Sequence, residues 1–259
     1  MIIDDSIVAA YLSGQPPDRY KDHWVYSAIG RGHVFEAPNP LHRNWVSKLR
    51  GKLKNQIQNF VPRNYELVRT IFPGFDDIAR DYTILLVVGF PDPYDAMVLN
   101  HNGREFMVFD LIQFGQDSLD EGYSCHRVLT HELIHICLHQ SYPEMNLSYL
   151  DDLNYTVFDE GFAHALSYPE DIFDFEFSDF FSKKYEQARI QLKNAAIETN
   201  EKKQKAFRIS VDTGDYWEKF GSIAGKLYLL KHKDQIIEIY KDGWSGFVER
   251  ILNDEKEQP

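Results

Sequence analysis

The sequence predicts an α+β protein that is mainly helical and carries one small mixed or antiparallel sheet. Three observations support this. Through the first and last thirds of the chain, apolar residues recur at three- and four-residue steps, the mark of amphipathic helices. One run, Tyr82 to Phe90, is instead dense in β-branched and aliphatic residues and stops at Pro91-Asp92-Pro93. Shortly afterwards, Ala96 to Leu99 and Glu105 to Ile112 flank Asn100-His101-Asn102-Gly103, whose Asn-Gly pair suits a hairpin turn.

The first region, 1–80, reads as helical, with helices from Asn44 to Phe60 and from Asn64 to Ile71 punctuated by Pro62 and Pro73. In the longer one, Trp45, Leu49, Leu53, Ile57 and Phe60 recur at helical spacing beside a basic cluster of Arg43, Lys48, Arg50, Lys52 and Lys54. A solvated helix face accounts for that cluster better than a phosphate-binding surface, because charge on an amphipathic helix needs no ligand. The second region, 81–168, holds the sheet and then a helix from about Ser124 to Gln140. Ser124 is its N-cap, and Val128, Leu129, Leu133, Ile136 and Cys137 form its buried side. The third region, 169–259, is a helical lobe: Phe177, Phe181, Tyr185, Ala188, Leu192 and Ala196 keep helical spacing, as do Tyr216, Phe220, Ile223 and Leu227. Asn253 to Pro259 reads as a frayed polar tail. No internal repeat or low-complexity linker separates these regions, so they form one integrated unit.

Composition narrows the function classes. With 43% hydrophobic and 14% aromatic residues among 259, the chain has ample material for a core. The net charge of −12 opposes binding to a nucleic-acid polyanion. The start, Met1-Ile2-Ile3-Asp4-Asp5-Ser6, lacks the basic and apolar segments of a secretory signal, and the apolar run Thr83 to Phe90 is far short of the roughly 20 residues that span a bilayer. Two cysteines, Cys125 and Cys137, do not make a disulfide scaffold. These features point to a cytoplasmic protein that engages neither nucleic acid nor membrane.

Chemistry is concentrated in His131-Glu132-Leu133-Ile134-His135. A helix advances about 100° per residue, so the four-residue step leaves both imidazoles on one face, roughly 6 Å apart along the axis, where they can converge on one metal ion. Zinc fits best, because it takes nitrogen and carboxylate ligands and brings no redox chemistry to a hydrolytic site. Glu132 is placed as a general base for activated water. Chance supplies such a spacing in roughly one chain in 40 of this composition, so the motif's position on an amphipathic helix after a hairpin adds weight.

A catalytic zinc site needs a third protein ligand. His139 lies one more step along, but three successive i,i+4 positions span roughly 12 Å along the axis and do not all reach one ion, which makes His139 a partner for solvent or an outer carboxylate. Downstream, Asp159-Glu160-Gly161-Phe162-Ala163-His164-Ala165-Leu166 reads as the opening of a second helix. Glu160 is favoured as third ligand, with Gly161 permitting close packing and His164 one turn on along the same face. The alternative is that Asp159 and Glu160 merely complement a helix N-terminus.

Together, His131-Glu132-x-x-His135 and Glu160-Gly161-x-Ala163 resemble the gluzincin branch of the zincin metallopeptidases, particularly its thermolysin-like and peptidase MA-like members. The likeness is specific from Ser124 to Leu166; elsewhere it covers only the order of elements. It implies a zincin-like fold in which His131, His135 and Glu160 bind zinc and Glu132 is base and proton shuttle. An edge strand near Glu105 to Ile112 would receive an extended peptide. The family also supplies a Tyr or His from the C-terminal lobe to stabilise the oxyanion, for which Tyr216 and Tyr228 are candidates, Tyr216 first. One departure stands out: many members carry Asp four residues after the glutamate ligand, where this chain has His164, so the orientation of His131 would depend on Asp159 or a backbone carbonyl. The family's exopeptidase signature, Gly-x-Met-Glu-Asn, does not occur, which favours an endopeptidase. The expectation is therefore a zinc-dependent metallopeptidase acting on a peptide or protein. The alternatives are a non-catalytic, metal-stabilised peptide-binding module or a regulatory or maturation protease with a single protein substrate.

Overall fold

The structure is a computed structural model that describes residues 1–30, 32–92, 94–115, 125–143 and 147–254. It is mainly helical with a four-stranded mixed sheet, and it divides into two compact units: residues 1–62 with 74–133, and residues 63–73 with 134–259.

The first unit holds the sheet: β1 (Ile2–Asp4), β2 (Thr83–Val87), β3 (Ala96–His101) and β4 (Arg104–Asp110), in the order β1-β2-β4-β3. β2 pairs parallel with both β1 and β4, while β3 and β4 form the antiparallel hairpin. Every residue of β2 is buried, which is why its sequence is a continuous apolar run rather than an alternation. The hairpin turns through Asn102 and Gly103, both at positive φ (53° and 75°), the backbone an Asn-Gly turn requires. The strand near Glu105 to Ile112 is not an edge. As β4 it is flanked on both sides, because β2 needs a parallel neighbour to complete its hydrogen bonding; the edges are β1 and β3.

Helices α1 (Ser6–Leu12), α2 (Arg43–Gln58) and α4 (Phe75–Asp81) complete this unit, with α1 against β2 and α2. Val46, Leu49, Leu53 and Ile57 form the buried stripe of α2. Its basic cluster is partly committed within the fold: Arg50 and Lys54 both reach Asp5 Oδ2 at 2.8 Å, and Arg43 donates to the carbonyl of Tyr11 at 3.0 Å. Lys48 and Lys52 are exposed. The Asp110 side chain at the end of β4 turns inward and is fully buried. It accepts from the backbone N–H groups of Phe90 (2.7 Å), Ile112 (2.8 Å) and Gln113 (3.1 Å), tying together two loops that leave the sheet. Burial pushes its carboxyl up to about 6 despite those donors.

The motif helix, α5 (Cys125–Ser141), is continuous and passes from the first unit to the second between Leu133 and Ile134. Ser124, expected as its N-cap, lies outside the described residues. Leu129, Leu133, Ile134, Ile136, Cys137 and Leu138 are buried, and burial raises the Cys137 thiol to about 12, which keeps it protonated and unreactive.

The second unit comprises α3 (Tyr65–Ile71), the rest of α5, α6 (Tyr149–Leu166), α7 (Asp179–Ala196), α8 (Glu201–Ser210), α9 (Phe220–Lys231), α10 (Ile236–Asp242) and α11 (Phe247–Asn253). The expected helix opening at Asp159 is a correction. Ser148 caps α6 by accepting from the N–H of Asp151, so the helix begins about three turns earlier and Asp159 and Glu160 stand in its middle. A role in complementing the helix N-terminus is thereby removed, since that effect fades within the first turn.

α6 packs closely against α9, and glycines permit it. A Cβ on Gly161 would stand 2.9 Å from Gly225 Cα, and one on Gly225 would collide with the Val157 carbonyl oxygen. The chain end is held as well. Asp254 accepts from Tyr185 (2.9 Å), His232 (2.9 Å) and Lys231 (3.1 Å), and Arg189 donates to the carbonyls of Ile251, Leu252 and Asp254. Asp254 is thus fixed rather than frayed; residues 255–259 lie outside the described set. Among the described residues, no helix is long and apolar enough to cross a membrane.

Candidate metal centre

α5 presents His131, His135 and His139 at four-residue intervals on one face, each partly buried, opposite the apolar side that fixes the helix in place. α6 supplies the carboxylates. His135 Nδ1 lies 2.8 Å from Asp159 Oδ2, and His139 Nε2 lies 3.5 Å from the same oxygen. His135 Nε2 faces Glu160 Oε1 at 3.7 Å, while His164 Nε2 faces Glu160 Oε2 at 3.4 Å. α9 adds Ser222, whose hydroxyl donates to Glu160 Oε2 at 3.2 Å. The side chains of His135, Asp159, Glu160 and His164 are 10–19% exposed, largely desolvated yet open enough to be reached.

The hydrogen-bond chemistry assigns the protons. An ionised carboxylate only accepts, so the 2.8 Å contact puts a proton on His135 Nδ1. Burial alone would raise the Asp159 carboxyl, but the imidazoles of His135 and His139 outweigh it and hold the group at about 2, keeping it ionised. If the ring is neutral, Nε2 carries a lone pair directed at a carboxylate oxygen. Two acceptors at 3.7 Å repel unless a proton or a cation stands between them.

These separations fit a metal. Two ligand atoms each about 2.0–2.1 Å from a tetrahedral zinc ion stand roughly 3.3 Å apart. The His135–Glu160 and His164–Glu160 distances, 3.7 and 3.4 Å, are close to that and longer than good hydrogen bonds. His135, His139 and Asp159 form a group whose ligand atoms lie within 4.8 Å of one another. There the 2.8 Å hydrogen bond already satisfies His135 Nδ1 and Asp159 Oδ2, so a cation would have to force them apart. The Nε2 side of His135 is the better cation position, with Asp159 behind the ring as its orienting carboxylate. Nearby charge also reaches Asp212, whose carboxyl is raised to about 6, first by burial and then by the charge of Glu160.

Other expected residues fall as follows. His131 lies one turn before His135 on the same face of α5, by the continuity of the helix. Glu132 is partly buried, and its charge bears on the Tyr82 hydroxyl, which burial, Glu105 and Glu132 together push far up. For His131 the sequence offers Asp159 or a backbone carbonyl as the orienting group; the Asp159 side chain hydrogen-bonds His135. His139 Nε2 faces the Asp159 carboxylate that His135 also meets. Tyr216 sits in a 3-10 turn, Tyr216–Glu218, just before α9 rather than on a helix. Its ring meets His164 edge-on at 5.6 Å, and its hydroxyl is 2.8 Å from Lys226 Nζ. Tyr228 packs against His232 and Phe247. Sequence reasoning missed Ser222 and Lys226, which lie one turn apart on α9; polar residues at that spacing in an otherwise apolar helix were the available signal. Comparison with known proteins finds no matching family model, no similar curated protein and no similar solved structure.

Proposed function

We propose that this protein is a zinc-dependent peptidase, with His131, His135 and Glu160 as the zinc ligands and Glu132 as the general base. The observation that carries the reading is the poise of His135: Asp159 fixes the proton on Nδ1 at 2.8 Å, and the opposite nitrogen is aimed at Glu160 across 3.7 Å. A carboxylate behind a histidine that faces a second carboxylate is the arrangement of a metal-ligating imidazole. The resemblance of His131-Glu132-x-x-His135 and Glu160 to the gluzincins supports the choice of ion and reaction.

Zinc, when bound, supplies Lewis-acid polarisation of a carbonyl and acidifies water towards neutral pH. The chain's residues do the rest. Glu132, next in sequence to a ligand but not itself one, accepts the attacking water's proton and returns it to the leaving amine. The Tyr216 hydroxyl donates to the carbonyl oxygen as it gains negative charge. The substrate is a peptide or protein, cleaved internally. Glu132→Gln tests the assignment: digestion of a peptide library falls by orders of magnitude while zinc content stays at the wild-type level. Unchanged turnover in that variant removes Glu132 from the role.

A further inference from the structure

Lys226 is an unusual residue for its place. It lies in α9, where Ile223, Ala224, Leu227, Leu229 and Leu230 are all fully buried or nearly so, and is itself only 5% exposed. Burying an ammonium costs several kcal/mol unless polar groups meet it, and a leucine or methionine would fill the same volume without that cost. Among the groups that meet Lys226 are two tyrosines. Its Nζ is 2.8 Å from the Tyr216 hydroxyl, and it stands 5.1 Å from the centre of the Tyr168 ring and 5.4 Å from that of Tyr216.

The direction of the hydrogen bond follows from the groups. An ammonium has three donors and no acceptor, so Lys226 donates and the Tyr216 oxygen accepts. The phenolic proton therefore points away from the lysine. The Tyr216 ring, meanwhile, is set edge-on against His164, which in turn faces Glu160. One turn before Lys226 on the same face of α9, Ser222 donates to Glu160. A single helix thereby positions both a proposed ligand and the proposed oxyanion donor.

We infer that Lys226 is a positioning residue that acts through Tyr216, fixing the phenol so that its O–H is presented to the substrate's carbonyl oxygen. This rests on the peptidase reading above. The test is a double-mutant cycle on a peptide the wild type cleaves, with zinc content and thermal stability measured for every variant. Tyr216→Phe lowers kcat about 100-fold with KM little changed. Lys226→Met, similar in length and uncharged, lowers kcat at least about tenfold with zinc retained. Placed in the Tyr216→Phe background, Lys226→Met causes no further loss beyond about threefold, because the residue it acts through is already gone. Losses that multiply in the double variant, or a Lys226→Met enzyme with wild-type kcat, overturn the inference; retained zinc and an inactive Glu132→Gln then leave the peptidase reading standing. A wild type that binds no zinc and cleaves nothing overturns both. Should Lys226→Met fail to fold, Lys226→Gln takes its place in the same cycle.

Discussion

The α6–α9 crossing links packing to chemistry, and Gly161→Ala tests that link. The new methyl would stand 2.9 Å from Gly225 Cα and 3.0 Å from the Gly225 carbonyl carbon, both backbone atoms with no rotamer to yield. Carbon atoms rest about 3.5–4.0 Å apart, so the helices must part by roughly 0.5–1 Å. Overpacking of that size costs about 1–3 kcal/mol, offset in part by the roughly 1 kcal/mol that alanine gains over glycine in a helix. The net loss is at most about 2 kcal/mol. The same displacement acts on the site. Glu160 adjoins Gly161, and its bond from Ser222, on the opposing helix, is already 3.2 Å long; a further half ångström or so breaks it. Loss of such an outer contact lowers metal affinity about 10–100-fold. Urea unfolding of the metal-free protein measures the first quantity, and zinc titration against a chelator measures the second. Ser222→Ala serves as the control that lowers zinc affinity with little change in stability. A Gly161→Ala protein that is destabilised as expected but binds zinc as tightly as wild type would show that this crossing does not position Glu160.

Two further outcomes follow from the same network. Asp159→Asn removes the charge that orients His135, and its zinc affinity falls about 10–100-fold while circular dichroism shows an unchanged helix content; wild-type affinity would return His135 to an ordinary buried histidine. Asp254→Asn tests the held chain end. Burial would raise the Asp254 carboxyl, but hydrogen bonds from His232, Tyr185 and Lys231 outweigh it and hold the group at about 2, against an ordinary 3.8. A depressed carboxyl stabilises the fold above its unfolded value and loses that contribution as pH falls through the folded one. Wild type should therefore exceed Asp254→Asn by about 2 kcal/mol above pH 4, with the gap closing towards pH 2. Urea unfolding across that range checks it, and a gap independent of pH contradicts it.

What could be read in the sequence was local. The helical stripes of α2 and α7 and the Asn102-Gly103 turn are written in short-range patterns, and the structure keeps them within a residue or two. What could not be read depends on distant partners. β1 is three residues long and exists through its pairing with Thr83–Leu85 of β2. The first turns of α6 carry Asp151, Asp152 and Asn154, which mask the apolar period; Asn154 is buried because its side chain accepts from the N–H of Val248 in α11. At the site, the spacing of His131 and His135 was visible because one helix sets it. The pairing of Asp159 with His135, rather than His131, was not, because it depends on how α6 lies against α5. Ser222 and Lys226 were hidden for a related reason: a serine and a lysine usually mark solvent, and only the Gly161–Gly225 approach brings α9 close enough for them to serve the interior.

The central claim is that His135 and Glu160 hold zinc. Metal analysis of the purified protein, beside His135→Ala, tests it most directly. Wild type should hold close to one zinc per chain and the variant almost none, with both folded. Wild-type protein without zinc after incubation with the ion, or a His135→Ala protein that retains it, would contradict the account.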